Sequence, residues 1–171
     1  MIARSFGAMR CEPRRIWLLV LLCCVTFGCG HGLVKVPTGA MQPTIPIDSY
    51  VAWEEASGDS IKRFDLVLHT LPLDELLKHT GAKEDTKYIF RVIGLGGEKV
   101  EIKSGQVFVD DQRIEEPFEK VRSDDNFGPL VVPQGRFFLL GDNRTESHDS
   151  RFWKPPTIGK ERIIGKVVKI F

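Results

Sequence analysis

Ser147, His148 and Asp149 set a hydroxyl, an imidazole and a carboxylate side by side, the three groups that nucleophilic hydrolysis uses as a proton relay. Three neighbours in a row cannot converge on one point, so they do not make that relay as a trio, and His148 reads as a solvated loop residue. The residues around them suit a different task. Arginine and carboxylate form paired hydrogen bonds, and Asn and Asp favour tight turns. Gly141-Asp142-Asn143-Arg144 and Asp149-Ser150-Arg151 therefore predict a buried or half-buried network of hydrogen bonds and ion pairs that ties two loops together. Two further groups could react, the Thr38 hydroxyl and the Lys87 amine. All four cysteines, Cys11, Cys23, Cys24 and Cys29, precede residue 30, which excludes a disulfide framework or a cysteine-based zinc site from the remainder. No metal or other cofactor is expected.

Short strands must position these groups. Ser49–Trp53, Phe64–His69, Tyr88–Ile93, Lys99–Lys103, Gln106–Val109, Arg136–Leu140 and Ile163–Ile170 are β-branched or aromatic runs separated by Gly, Pro, Asp and Ser. Ser104-Gly105 and Asp110-Asp111 are turn dipeptides on either side of a Val-Phe-Val run, so residues 99–115 read as a small meander. One short helix is predicted over Pro72–His79, with Pro in its first turn, Leu73, Leu76 and Leu77 on one face and Gly81 as its stop. The fold class is mainly β: an antiparallel β-sandwich or partly open barrel with that one helix. Its 171 residues, 42% hydrophobic and 27% charged, suffice for one globular domain with a sizeable core. A formal net charge of +1 offers no concentrated basic face, so nucleic acid is not expected as a partner.

The leader differs from the rest. Residues 1–29 hold four arginines against one glutamate, and Arg14-Arg15 precede the uncharged run Ile16–Phe27. Residues 1–29 are therefore expected to be a signal peptide or membrane anchor, and residues 30–171 the β domain. Twelve apolar residues suit a secretory signal, and Gly28-Cys29 is similar to the end of a bacterial lipoprotein signal, which would lipidate Cys29. Alternatively Ile16–Val34, free of charge up to Lys35, would just span a bilayer, which takes about 20 residues. Both readings attach the protein to a membrane with its body on the extracytoplasmic side, because Arg14 and Arg15 hold the start of the leader inside.

Three segments, in order along the chain, resemble those of the type I signal peptidase family. Val36-Pro-Thr-Gly-Ala-Met-Gln-Pro-Thr44 resembles the segment around the nucleophile, usually Pro-Ser-x-Ser-Met-x-Pro-Thr. Tyr88-Ile-Phe-Arg-Val-Ile-Gly-Leu-Gly-Gly-Glu-Lys-Val100 resembles the segment around the lysine, usually Lys-Arg-x-x-Gly-x-Pro-Gly-Asp. Gly141-Asp-Asn-Arg-Thr-Glu-Ser-His-Asp-Ser-Arg151 matches the third, Gly-Asp-Asn-Arg-x-x-Ser-x-Asp-Ser-Arg, at every specified position. The resemblance implies the signal-peptidase type of β-fold and a serine endopeptidase chemistry in which a neutral lysine amine activates a serine hydroxyl. It implies an oxyanion role for Thr38, a supporting role for Ser147, Asp149 and Arg151, and a place for Met41 and Pro43 along the substrate groove.

The departures fall on the reactive pair. The serine's place is taken by Ala40 and the lysine's by Phe90. A methyl group cannot attack a carbonyl and a phenyl ring cannot accept a proton. Thr38 would have to swing to the site of Ala40 and find a base. Lys87, three residues before Phe90 on a strand, points to the opposite face. Gly96 and Glu98 replace the usual Pro and Asp, and a looser turn is expected there. The expected function is that of a catalytically inactive signal peptidase-like protein, which binds signal-peptide or exported-protein segments or regulates an active signal peptidase. The alternative is an active type I signal peptidase using another nucleophile and base. A third relation, to the self-cleaving repressors that share the fold, is disfavoured by the apolar leader and the lack of a helix-turn-helix pattern.

Overall fold

The computed structural model describes residues 30–71, 86–121 and 123–171. The helix expected over Pro72–His79, the leader and Cys29 lie outside them. Eleven strands run in chain order: β1 (His31–Lys35), β2 (Tyr50–Glu55), β3 (Leu66–Thr70), β4 (Lys87–Gly94), β5 (Lys99–Lys103), β6 (Gln106–Val109), β7 (Gln112–Arg113), β8 (Phe127–Val131), β9 (Arg136–Leu140), β10 (Ile158–Gly159) and β11 (Ile163–Ile170). They form a seven-stranded sheet, β1-β2-β11-β3-β4-β9-β10, and a four-stranded sheet, β7-β6-β5-β8. The seven strands expected from periodicity are all present, with ends shifted by up to two residues. Among the described residues the only helical pieces are the 3-10 turns Gly58–Ser60 and Lys160–Arg162, and no helix is long and apolar enough to cross a membrane.

The larger sheet is covered on both faces where it matters. In β9, Phe137 and Leu139 enter one core with Phe90 and Val92 of β4, whereas Phe138 and Leu140 enter a second core with Ile93 of β4. Alternation with period two feeds both, which is why β9 reads as an uninterrupted apolar run. The second core is completed by Val100 and Ile102 of β5 and Val107 and Val109 of β6, so the small sheet packs there through its apolar face. Its two hairpin turns carry positive φ at Ser104 (46°), Gly105 (75°), Asp110 (49°) and Asp111 (64°), the left-handed pairs that two-residue hairpins need.

Three short strands, β1, β8 and β10, escape a periodicity reading, whereas β7 follows the Asp110-Asp111 turn and completes the meander expected over 99–115. The strand β10 has two residues, and β8 (Phe-Gly-Pro-Leu-Val) contains a Gly-Pro pair that reads as a breaker. β8 lies at the edge of its sheet, where a proline costs no ladder hydrogen bond. The turn around Gly96 is also better held than its sequence suggests. The Glu98 carboxylate accepts from the Leu95 amide at 2.7 Å and pairs with Arg63 at 2.6 Å, which replaces the stiffness of a proline.

One feature of the register shapes the site. β4 pairs with β3 along Lys87–Arg91, but its pairing with β9 begins only at Arg91, opposite Leu140. Lys87–Phe90 thus present a free strand edge among the described residues, and the segment 36–41 after β1 lies across from it.

Candidate functional site

Between the β4 edge and the segment after β1 lies a cavity of about 270 Å³, lined mostly by apolar groups: Val34, Val36, Pro37, Met41, Leu68, Leu71, Ile89, Phe90 and Trp153, with Thr38, Ala40, Tyr88, Glu146 and His148. The structure thereby brings Ala40 and Phe90, 50 residues apart in sequence, to one pocket together with Thr38 and Met41. Thr38 is exposed and Met41 buried; Pro43 is exposed and does not line the cavity.

Phe90 sits in a wall of aromatic rings. Its ring centroid lies 5.6 Å from Trp153, edge to face, and 6.5 Å from Tyr88, stacked. It also lies 5.6 Å from the ring of His69, a residue the sequence reading had passed over. His69 is directly opposite Tyr88 in the β3–β4 register, and Phe90 is diagonal to it on the same face. The imidazole is fully buried, and this burial lowers its pKa to about 4 against the pull of the Thr70 carbonyl. Its Nδ1–H donates to that carbonyl at 3.2 Å, which assigns the tautomer and leaves Nε2 as an acceptor. Among the described residues, neither Nε2 nor the Tyr88 hydroxyl has a hydrogen-bond partner. A fully buried histidine at the end of a strand is invisible to a search for reactive motifs; only its period-two phase with Val67 hinted at an inward side chain.

Lys87 offers no amine to this wall. It is paired with Thr70 where Phe90 is paired with Val67, an odd separation that puts the two on opposite faces. Its Nζ lies 5.7 Å over the Trp53 ring instead.

The segment 141–151 forms the expected network, with buried charges in pairs. Arg91 gives two hydrogen bonds to Asp142, at 2.8 and 2.6 Å, and the Thr44 hydroxyl donates to the same carboxylate. Asp142 thus joins all three segments singled out in the sequence. Asp149 receives the Ser147 hydroxyl (2.7 Å), the Gly141 amide (3.0 Å) and the Arg151 guanidinium (2.8 Å). Arg151 also reaches Asp125 at 2.5 Å. Arg144 pairs with Glu116 at 2.6 Å and Glu119 at 3.2 Å; burial raises the Glu116 carboxyl pKa against the pull of Arg144. Gly141 is packed between the Ser147 side chain and the Ala40 carbonyl, with no space for a Cβ. Ser147 therefore stands beside Ala40, but its proton is directed to Asp149. His148 is exposed and stacks on Phe152 with centroids 5.3 Å apart, so Ser147, His148 and Asp149 do not act as a trio.

The family model described as signal peptidase, peptidase S26, matches residues 14–171. A signal peptidase I of Leptolyngbya laminosa is 33% identical over 138 residues, covering 80% of this chain and 66% of that protein. A probable signal peptidase I-2 of Synechocystis is 29% identical over 133 residues, 77% of this chain and 58% of that protein. The crystal structure of a signal peptidase I from Enterococcus faecalis matches with a TM-score of 0.51 and 24% identity over 64% of this chain and 97% of that one, a likeness of fold. The chain thus spans about two thirds or less of the length of these two curated relatives.

Proposed function

The chain belongs to the signal peptidase S26 family, and we propose that it is a member without hydrolytic activity, which holds extended segments of signal peptides or exported proteins in the groove beside Ala40 and Phe90. The observation that carries this reading is the meeting of those two residues at one pocket; by the sequence resemblance they take the places of the family's hydroxyl and amine, and neither can attack or take a proton. Two features support binding. The free edge of Lys87–Phe90 can pair with an added strand through main-chain hydrogen bonds, and the adjoining apolar cavity can take a side chain of that strand. An active signal peptidase is the natural protein partner of such a module. The leader supports attachment to a membrane, by a lipid at Cys29 or by an apolar span that ends before His31 and not at Val34 as its lack of charge suggested, since His31–Lys35 form β1, with the β domain outside the cytoplasm.

The test uses the full chain in detergent with a peptide whose apolar stretch ends in Ala-x-Ala. Mass spectrometry should find no cleavage, while titration should change the fluorescence of Trp153 at the pocket wall. Cleavage that vanishes in Thr38→Ala or Ser147→Ala would overturn the inactive reading and establish a different nucleophile. Labelling cells with an alkyne fatty acid separates the anchors: lipid on the wild type but not on Cys29→Ser supports the lipoprotein, and an unlabelled chain that retains residues 1–28 supports the span.

A further inference from the structure

We infer that the Glu146 carboxylate is a stopper in this groove: it lies against Gly39, between Thr38 and Ala40, where a bound carbonyl oxygen would have to gather negative charge, so the groove holds neutral segments and disfavours anionic ones. The inference rests on the reading of Ala40 and Thr38 given above and adds an element that neither residue supplies. A Cβ at Gly39 would stand 2.6 Å from Glu146 Oε2 and 3.0 Å from Gln42 Oε1, so two acceptor oxygens crowd a single backbone position. A larger residue at 39 would have to push these two flexible side-chain ends aside. The loop that carries Glu146 is fixed to this segment by the Asn143 amide, which donates to the Ala40 carbonyl at 3.0 Å, and by Asn143 Nδ2, which donates to the Gly39 carbonyl at 3.2 Å. The Glu146 amide in turn donates to the Asn143 carbonyl at 3.2 Å.

The charge of Glu146 is not cancelled locally. Among the described residues no ion pair engages it, and the two lysines that line the same cavity are occupied elsewhere: Lys35 pairs with Asp48 at 2.6 Å, and Lys87 lies over Trp53. His148 and Tyr88 are the other titratable groups that line the cavity. Stabilising an oxyanion needs donors aimed at a site free of competing negative charge. The Thr38 hydroxyl and the Ala40 amide, which have no hydrogen-bond partner among the described residues, could be such donors, but an ionised carboxylate beside them opposes the potential they would create. Loss of the reactive pair is thus matched by a contact that makes the same spot unfit for an anion.

Two measurements on the full chain in micelles test this. In the first, the backbone amide shifts of Gly39 and Ala40 are followed by NMR from pH 3 to 7. They should move as a carboxyl group ionises, and that movement should vanish in Glu146→Gln, whereas any movement caused by His148 would persist. Amides that do not titrate in the wild type, or that titrate equally in Glu146→Gln, overturn the contact. In the second, one apolar peptide is compared as a C-terminal carboxylate and as a carboxamide. The wild type should bind the amide about three- to fivefold more tightly, and Glu146→Gln should bind both equally; equal affinities in the wild type would overturn the charge selection. Failure of either peptide to bind would count against the groove as a peptide site, while the amide titration would still decide whether Glu146 is the stopper.

Discussion

The segment 141–151 and the wall around Phe90 lie side by side and follow opposite rules. In the segment, buried charge is abundant and paired: Asp142 with Arg91, Asp149 with Arg151, Arg144 with two glutamates. In the wall, the rings of His69, Tyr88 and Trp153 pack around Phe90, and two polar atoms there, His69 Nε2 and the Tyr88 hydroxyl, have no partner among the described residues. The network joins distant parts of the chain, so loss of any member leaves a buried charge uncompensated. On the function proposed above, Phe90 takes the place of a lysine that only a chemistry would require, and a neutral lysine in an apolar site is costly to keep, so an apolar ring is the more stable choice there, while the network is needed for the fold.

The largest effect should come from breaking the network. Asp142→Ala removes the group that joins Thr44 and Arg91 to the 141–151 loop and leaves the Arg91 guanidinium buried, so urea unfolding should show a loss of about 3–5 kcal/mol. A loss below about 1 kcal/mol would mean that water readily replaces the carboxylate and that the contrast drawn above is overstated.

Next in size is a pH dependence located in the wall. His69 titrates at about 4 in the fold and near 6.5 when unfolded, so the unfolded chain takes up the proton first as the pH falls. Stability from this residue is complete above pH 6.5 and declines by about 3 kcal/mol as the pH falls from 6.5 to 4. The difference between the wild type and His69→Phe, measured across that window, isolates the effect from the carboxylates. An unchanged difference would show that the imidazole is hydrated in the fold.

Restoring the amine tests the contrast from the other side. Phe90→Lys should cost roughly 2–3 kcal/mol, since it trades ring packing for a buried charge. Combined with Ala40→Ser it should restore measurable cleavage, where neither change alone does, because a nucleophile and its base act as a unit. A folded double variant that remains inert, even with Glu146→Gln added, would show that the groove geometry has drifted from that of a peptidase. The smallest effect is expected for Tyr88→Phe. Deleting a buried hydroxyl that has no partner should change stability by about 0–1 kcal/mol, in the stabilising direction. A clear destabilisation would reveal a water bridging Tyr88 and His69.

Much of this was legible from residue types alone. The strands β5, β6, β9 and β11 have the ends expected from alternation, because a strand's two faces are written locally with period two. The hairpins at Ser104-Gly105 and Asp110-Asp111 follow from residues that accept positive φ. The pairing of Asp and Arg in 141–151 was expected, but not its partners: Arg91, Glu116, Glu119 and Asp125 come from elsewhere in the chain, and nothing local marks a carboxylate as one that a distant guanidinium will meet. Likewise β8 was hidden by its Gly-Pro pair, since only a place at the sheet edge makes that pair harmless.

The sequence by itself determined which reactive groups the chain has and which it lacks: a methyl group at Ala40 and a ring at Phe90 hold in any fold, because covalent structure sets what an atom can donate or accept. Only the tertiary structure decided that Ala40 and Phe90 face one cavity, that His69 is buried against Phe90 with no partner for Nε2 among the described residues, and that the Glu146 carboxylate lies against Gly39. Those are contacts between residues that are far apart in sequence or separated by a turn, and they exist only because the curl of the large sheet brings the segment after β1, the start of β4 and the loop after β9 to one place. Burial there, as at His69, decides which form of a titratable group is favoured, and residue type alone does not reveal it.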